Sequence, residues 1–270
     1  MGWMLFLKEL EVARAAALRS GKLALRHAAQ GVVPENKPDD SPVTIADKES
    51  EKLIAAVLEE AFPDDGLLGE EGASKPSRSG RRWIIDPIDG TRDFVRGNGQ
   101  WAVLIGLELD VEGGPVVGVC CFPAKDEMYF AASGAGAFRN DAPIRASAIA
   151  SRDQAVLCMG SLTNVHRFEF GSRLVDWMGG FWSVRSFGGA PDAMMVASGQ
   201  ADVWVEPVVK PWDLAPMKII LEEAGGRFFN FDGGSSIYGG NCVGCTPGLA
   251  AEAAKFFAPS AKTGDSPRVS

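Results

Sequence analysis

The stretch Trp83-Ile84-Ile85-Asp86-Pro87-Ile88-Asp89-Gly90-Thr91-Arg92-Asp93-Phe94 decides how this chain is read. Its apolar opening, Trp83 to Ile85, runs directly into a group of carboxylates. A short β-branched run stopped by Asp-Pro reads as a buried strand that delivers Asp86 to the rim of a sheet. Pro87 fixes its own φ, and Gly90 lets the chain turn tightly. Asp86 and Asp89 can then face one point with the Ile88 carbonyl between them, and oxygens converging from one turn suit a hard cation such as Mg²⁺. N–H groups following Gly90 would face the same point and could hold a phosphate oxygen. Ordinary turn chemistry, with Asp89 as a helix cap, is the competing reading. One route to phosphate hydrolysis is excluded. An aspartyl-phosphate mechanism needs Asp-x-Asp-Gly-Thr, and Pro87 stands where its nucleophile would be.

The 270 residues, 46% of them hydrophobic, suffice for one large domain or two closely packed halves. A formal charge of −8 argues against nucleic acid and anionic membrane surfaces as partners. An acidic protein that handles phosphate must bring positive charge locally, and bound cations would meet that need. Lys8, Glu9 and Glu11 interrupt any apolar core of a signal peptide. No apolar run approaches the length of a membrane span. Five cysteines, an odd number, predict a reducing compartment and a cytoplasmic protein. Cys242-Val243-Gly244-Cys245 has the spacing of a metal-binding pair, but zinc would need a second pair or histidines nearby. The chain's histidines are His27 and His166, so the four residues read as a buried strand. Neither histidine has a Ser or Cys signature beside it, and triad chemistry is not expected.

Upstream, Leu5 to Gln30 follows a helical period, with Leu10, Ala13, Ala17, Gly21, Ala24 and Ala28 on one face. Those small side chains predict close packing on another helix. Gly31 to Pro42 reads as a polar loop. Thr44-Ile45-Ala46-Asp47 has the capping-box spacing and opens a second helix with the stripe Leu53, Ile54, Val57, Leu58 and Phe62. Asp47 is therefore either a first-turn cap or a site residue. Pro63-Asp64-Asp65-Gly66 is a turn. In Gly69-Glu70-Glu71-Gly72, two carboxylates bracketed by glycines form either a solvated bend or a further ligand for the centre at Asp86. Ser74 to Gly80 is polar and reads as a mobile loop.

Downstream, Trp101 to Leu109, Pro115 to Phe122 and Glu127 to Ala132 predict a largely antiparallel sheet. Gly134 to Phe138 lacks the third glycine of a dinucleotide site and reads as a turn. Beyond it, strands at Ala155 to Met159, Phe181 to Phe187 and Ala201 to Glu206 alternate with helices. The helices are Thr163 to Met178, Pro191 to Ser198 and Asp213 to Ala224, a rhythm of α/β layering. Asp213 is either the N-cap of the last helix or a carboxylate placed beside an ion or phosphate. Gly225-Gly226 closes that helix. Glu206 ends the preceding strand and points into the same neighbourhood. The tail after Pro259 reads as disordered.

Gly69-Glu70-Glu71, Asp86-Pro87-Ile88-Asp89-Gly90-Thr91 and Trp212-Asp213-Leu214-Ala215 running to Gly225-Gly226 occur in that order. With Ser41-Pro42-Val43-Thr44 leading to Asp47, they make a chain that resembles the inositol monophosphatase family of Mg²⁺-dependent phosphatases over residues 5–258. The resemblance implies an α/β fold, the layered αβαβα sandwich also found in fructose-1,6-bisphosphatase, usually as a homodimer. The expected division is an N-terminal half, 1–145, carrying Glu70 and the Asp86 motif, and a C-terminal half, 146–258, carrying Asp213, before a tail at 259–270. Ligands of two or three Mg²⁺ ions would be Glu70, Asp86, the Ile88 carbonyl, Asp89 and Asp213. Gly90 and Thr91 amides would bind phosphate. The Thr91 hydroxyl, paired with Asp47, and Glu70 would orient the attacking water. The implied chemistry is in-line hydrolysis without a phospho-enzyme, one metal activating water and another stabilising the leaving alkoxide. With no nucleophilic side chain, the rate must come from positioning and electrostatics.

Phe94-Val95-Arg96-Gly97 with Trp101, and Glu206-Pro207, are similar to the histidinol-phosphatase branch, whereas inositol phosphatases more often carry His where Arg96 stands. Gly189 departs from that branch, many members of which carry Asp there. Arg185, Gly189, Ala190 and Glu206 are the expected substrate-facing residues. The resemblance thus implies a small phosphorylated metabolite as substrate, histidinol phosphate first and inositol 1-phosphate second. A non-catalytic binder of metal or sugar phosphate is the reading of another class, and the presence of Glu70 and Thr91 speaks against it.

Overall fold

Strand side chains alternate between two faces, so a strand buried on both sides feeds two cores at once. In the strand at 102–109, Val103, Ile105 and Leu107 join one apolar cluster while Ala102 and Leu104 join another. At 203–206, Val203 and Val205 join a third cluster and Trp204 joins the middle one. Strands buried on both faces thus tie three cores together.

The computed structural model describes residues 6–38, 41–110 and 114–258. Helix α1 (Leu7–Gln30) leads through β1 (Glu35–Asn36) and β2 (Pro42–Val43) to α2 (Ile45–Ala61). Next come β3 (Gly66–Gly69), β4 (Ser74–Lys75), β5 (Arg81–Asp89), α3 (Thr91–Arg96), β6 (Ala102–Leu109) and β7 (Gly114–Phe122). Strands β8 (Glu127–Ala132), β9 (Gly136–Arg139) and β10 (Ala142–Ile144) complete an eight-stranded sheet of order β10-β9-β8-β7-β6-β5-β3-β4. Its one parallel pair is β3 with β5. The second half holds β11 (Val156–Met159), α4 (Leu174–Met178), β12 (Ser183–Arg185), α5 (Gly189–Ala197) and β13 (Val203–Glu206). It continues with α6 (Pro211–Glu223), β14 (Arg227–Phe229), β15 (Cys242–Cys245) and α7 (Ala250–Phe257). These strands form a five-stranded sheet of order β12-β11-β13-β15-β14. Helices α1 and α2 cover the outer face of the larger sheet, α5 and α6 lie between the sheets, and α4 and α7 cover the smaller one. The result is the layered αβαβα arrangement.

The middle layer is unusually close to the larger sheet. Gly106 and Gly118 face each other across β6 and β7. A Cβ on Gly106 would lie 2.7 Å from the Ala215 Cβ, and one on Gly118 2.6 Å from the Pro216 carbonyl oxygen. The missing side chains let α6 rest on the strands, and Asp213 stands two residues before the contact.

Several local expectations are corrected. Strand β5 continues through Pro87 to Asp89 rather than ending at Asp-Pro. A register shift between Asp86 and Asp89 takes up the extra residue, so the imide nitrogen of Pro87 meets no demand for a ladder donor. Part of the loop at 31–42 pairs as β1 with β2. The segment at 74–80 is tied down, since it begins with β4 and the Arg78 and Ser79 amides both donate to the Asp64 carbonyl. Gly136 to Phe138 belongs to β9 rather than to a turn. The predicted helix from Thr163 to Met178 is broken into short 3₁₀ turns before α4. Phe168 and Phe170 stack at 5.3 Å and both meet the Phe231 ring, which an α-helix cannot arrange for side chains two apart. Ala28 is exposed at the end of α1 rather than packed on another helix as expected. The tail at 259–270 lies outside the described residues.

Gly118→Ala is expected to force the Pro216 backbone away and to destabilise the fold by about 1–3 kcal/mol. Urea unfolding measures it. A variant as stable as the parent would show that α6 is not held by this contact.

Candidate active site

The site is built where β5 meets the N-terminus of α6. The bulge in β5 turns Asp86 and Asp89 to the same side, and α6 brings Asp213 over them. Carboxylate oxygens of these three residues all lie within 4.8 Å of one another. Each is aimed by a backbone amide. The Ile88 amide donates to Asp86 Oδ1 at 3.0 Å, the Ala190 amide to Asp89 Oδ2 at 3.0 Å, and the Lys210 amide to Asp213 Oδ2 at 2.9 Å. Asp213 is thus the third residue of α6, reaching back to Lys210 at its N-cap, rather than the cap itself. Burial, followed by the charge of neighbouring carboxylates, pushes Asp86 and Asp213 well above the usual carboxylate range. Burial likewise raises Asp89 to about 6. Groups shifted this way want either protons or a cation.

Glu70 follows β3, the parallel neighbour of β5, and its amide donates to the Ile85 carbonyl at 3.1 Å. The strand pairing therefore sets Glu70 beside Asp86. Lys37 spans the rim, donating to Glu70 Oε1 at 2.7 Å and Glu71 Oε1 at 2.5 Å. Burial alone would lower its pKa, but the two carboxylates hold it above the ordinary lysine range. Thr91 opens α3 after Gly90, whose φ of +85° is the left-handed turn the sequence foretold. Its hydroxyl lies 3.2 Å from Asp47 Oδ1 and 3.3 Å from the Ile88 carbonyl. Asp47 uses its two oxygens on different elements. Its Oδ2 accepts from the Thr44 amide at 2.8 Å as a capping box, and its Oδ1 serves Thr91.

A cavity of about 610 Å³ opens over these groups. Glu70, Asp86, Ile88, Asp89, Gly90, Thr91 and Asp213 line one wall, and Glu206, Gly189, Ser161 and Val208 line another. Glu206 is 4% exposed at the end of β13. It accepts from the Gly189 amide at 2.7 Å, the Ser161 hydroxyl at 3.1 Å and the Trp204 indole at 3.3 Å. Burial still raises it to about 7. Gly189 is in the left-handed region, and a Cβ there would meet Asp89 Oδ2 at 2.8 Å. A side chain at this position would be strained and would press on the Asp89 carboxylate. Ala190 is buried behind the wall and reaches the site through its amide. Arg185 is exposed, its guanidinium on the Val184 carbonyl, and is not part of the lining.

Sequence reasoning missed Lys37 and Ser161. A lone lysine in a polar loop carries no pattern. Ser161, a non-glycine residue at φ +49°, reaches Glu206 only through the tertiary fold.

The model of the inositol monophosphatase family matches residues 7–263. A histidinol-phosphatase of Chlorobaculum parvum is 41% identical over 237 residues, covering 86% of this chain and 89% of the relative. One from Mycobacterium tuberculosis is 39% identical, covering 89% and 94%. An inositol-1-monophosphatase of Rhizobium meliloti is 37% identical, covering 71% and 73%. Among solved structures, the extragenic suppressor protein suhB of Bartonella henselae superposes with a TM-score of 0.84 at 31% identity, covering 96% of this chain and all of its own. The Thermotoga maritima inositol monophosphatase gives 0.83 at 30% identity, covering 93% and 97%. Match and superposition extend over the whole layered fold, motifs included, and on that ground the chain belongs to the inositol monophosphatase family and is a phosphoric monoester hydrolase.

Proposed function

We propose that the protein is a Mg²⁺-dependent phosphomonoesterase that hydrolyses histidinol phosphate to histidinol and phosphate. The donor set fits the cation. It consists of oxygen atoms only, carries several negative charges in a small volume, and has carboxylates whose raised pKa values mark an unmet need for positive charge. Glu70, Asp86, the Ile88 carbonyl, Asp89 and Asp213 would hold it. When bound, Mg²⁺ supplies positive charge that acidifies water and stabilises the leaving oxygen. The chain's own groups do the rest. The Gly90 and Thr91 amides hold the phosphate. Thr91, donating its proton to Asp47, keeps its lone pairs for a water, and Glu70 accepts that water's proton. With proline at position 87, the aspartyl-phosphate route has no nucleophile.

Glu206 carries the choice of substrate. A nearly buried carboxylate whose burial raises its pKa, on the wall of the cavity that holds the acidic cluster, favours a cationic partner. Histidinol phosphate brings an ammonium group there. The relatives named histidinol-phosphatase, at 41% and 39% identity, support the same reading. Inositol 1-phosphate is the second reading, because Glu206 can equally accept from hydroxyl groups. By family resemblance the protein acts as a homodimer, which light scattering on the purified protein tests, and its five unpaired cysteines fit a cytoplasmic location.

Cation binding should depend on pH in a definite direction. Raised carboxylate pKa values stabilise the cation-free fold while protonated, and that contribution is lost as pH rises from about 4, the unfolded value, through about 6 for Asp89. The melting temperature without Mg²⁺ should therefore fall from pH 5 to 7.5, and the increment produced by Mg²⁺ should grow over that interval. Asp89→Asn should remain folded, lose most of the increment and lose activity. An increment independent of pH, or full turnover in that variant, would remove the cation site from Asp89.

Glu206→Gln should lose on the order of tenfold or more in kcat/KM for histidinol phosphate, the cost of about 1.5–3 kcal/mol for a charged partner. A phosphate ester without the amine should lose much less. Because Glu206 ionises through about 7, the ratio of wild-type to variant kcat/KM should widen from pH 6 to 8. A flat ratio, or wild-type preference for inositol 1-phosphate, would favour the second reading.

A further inference from the structure

Helix α2 presents a second buried carboxylate one turn beyond Asp47. Glu51 is 3% exposed and takes no part in the cluster at Asp86, Asp89 and Asp213. Its Oε2 accepts from the Glu71 amide at 2.8 Å and its Oε1 from the Ala73 amide at 2.7 Å. Both oxygens are thus spent on the backbone of the turn that carries Glu70. Gly69 makes this approach possible, because a Cβ there would lie 2.3 Å from Glu51 Oε2. The turn is closed on its other side by the Gly69 amide on the Ala73 carbonyl at 2.7 Å, and by the Glu70 amide on the Ile85 carbonyl. Residues four apart on a helix share a face, so α2 delivers Asp47 to the Thr91 turn and Glu51 to the Glu70 turn. Such outer partners fix where a ligand carboxylate sits, and their loss typically costs 10–100-fold in metal affinity or activity.

We propose that Glu51 is a positioning residue that clamps the Gly69–Ala73 turn through two amide hydrogen bonds and thereby sets Glu70 for the cation and the attacking water. This rests on the phosphatase reading given above. A neutral acceptor cannot replace it. Glutamine offers one oxygen and turns its NH₂ toward the other amide donor. The phosphate-binding amides at Gly90 and Thr91 belong to a different turn, so the two functions separate.

Glu51→Gln and Gly69→Ala, which displaces Glu51 without altering it, are compared with wild type. The readouts are kcat, KM for histidinol phosphate, the Mg²⁺ concentration for half-maximal rate, and Mg²⁺ affinity by calorimetry, with folding checked by circular dichroism. Both variants should weaken Mg²⁺ binding and lower kcat by about tenfold to a hundredfold while KM stays within about threefold. The double variant should add little to either, because both changes break one clamp. Unchanged Mg²⁺ affinity and kcat in a folded Gly69→Ala or Glu51→Gln protein would overturn the proposal, even with a lowered melting temperature. So would a loss confined to KM. Calorimetry needs no turnover, so absence of phosphatase activity in the wild type would count against the functional reading alone.

Discussion

Three carboxylates, Asp86 buried and Asp89 and Asp213 half-buried, crowd together at the centre of this molecule. Asp86, Asp89 and Asp213 bring oxygens within 4.8 Å, where each ionised pair opposes folding by about 3–4 kcal/mol at an effective dielectric near 20. No fold gathers such groups by default, so the surrounding architecture must hold them. Three separate devices do so. A bulge in β5 turns two of them to one side, a glycine pair in β6 and β7 lets α6 come down with the third, and one backbone amide aims each carboxylate. A cation held between these carboxylates would offset their repulsion, as an oxygen-only, negatively charged donor set favours.

The two halves of the chain meet at the same point. The loop at 188–190 donates one amide to Asp89, from the larger sheet, and the next one back to Glu206, from the smaller sheet. The cluster that would hold the cation and the carboxylate that would recognise substrate therefore share a single stiff turn. Gly189 suits this turn, because its backbone is left-handed and a Cβ there would lie 2.8 Å from Asp89 Oδ2. Ser161 and Val208 line the cavity from other segments.

Helix α2 shows how one carboxylate can cap a helix and reach into the acidic site at once. Asp47 completes a capping box with Thr44 and also receives the Thr91 hydroxyl. The capping pattern was visible in four residues, yet the same pattern occurs at helix starts with no site nearby. Lys37 behaves differently. It neutralises Glu70 and Glu71 from a loop whose composition is unremarkable, and its importance lies wholly in where the chain carries it.

The sequence by itself determined the long central strands β6, β7 and β8, because period-two burial fixes which side chains enter which core, and it determined the acidic turn, because Asp86, Ile88, Asp89 and Gly90 lie within five consecutive residues. It also determined that Glu70 and Asp213 belong to ordered motifs, although their spacing alone left each open to a bland reading. The failures were local and had tertiary causes. The segment at 162–178 is not one helix, since its phenylalanines are drawn into a shared aromatic cluster with Phe231 and Phe257. The segment at 74–80 is held by the Asp64 carbonyl, a partner ten or more residues away that no local propensity reports. Only the tertiary structure decided that Arg185 faces away from the cavity while Lys37 and Ser161 join it. The physical reason is the same in each case: a side chain's role is set by the groups brought against it, and those groups come from strands and turns far along the chain.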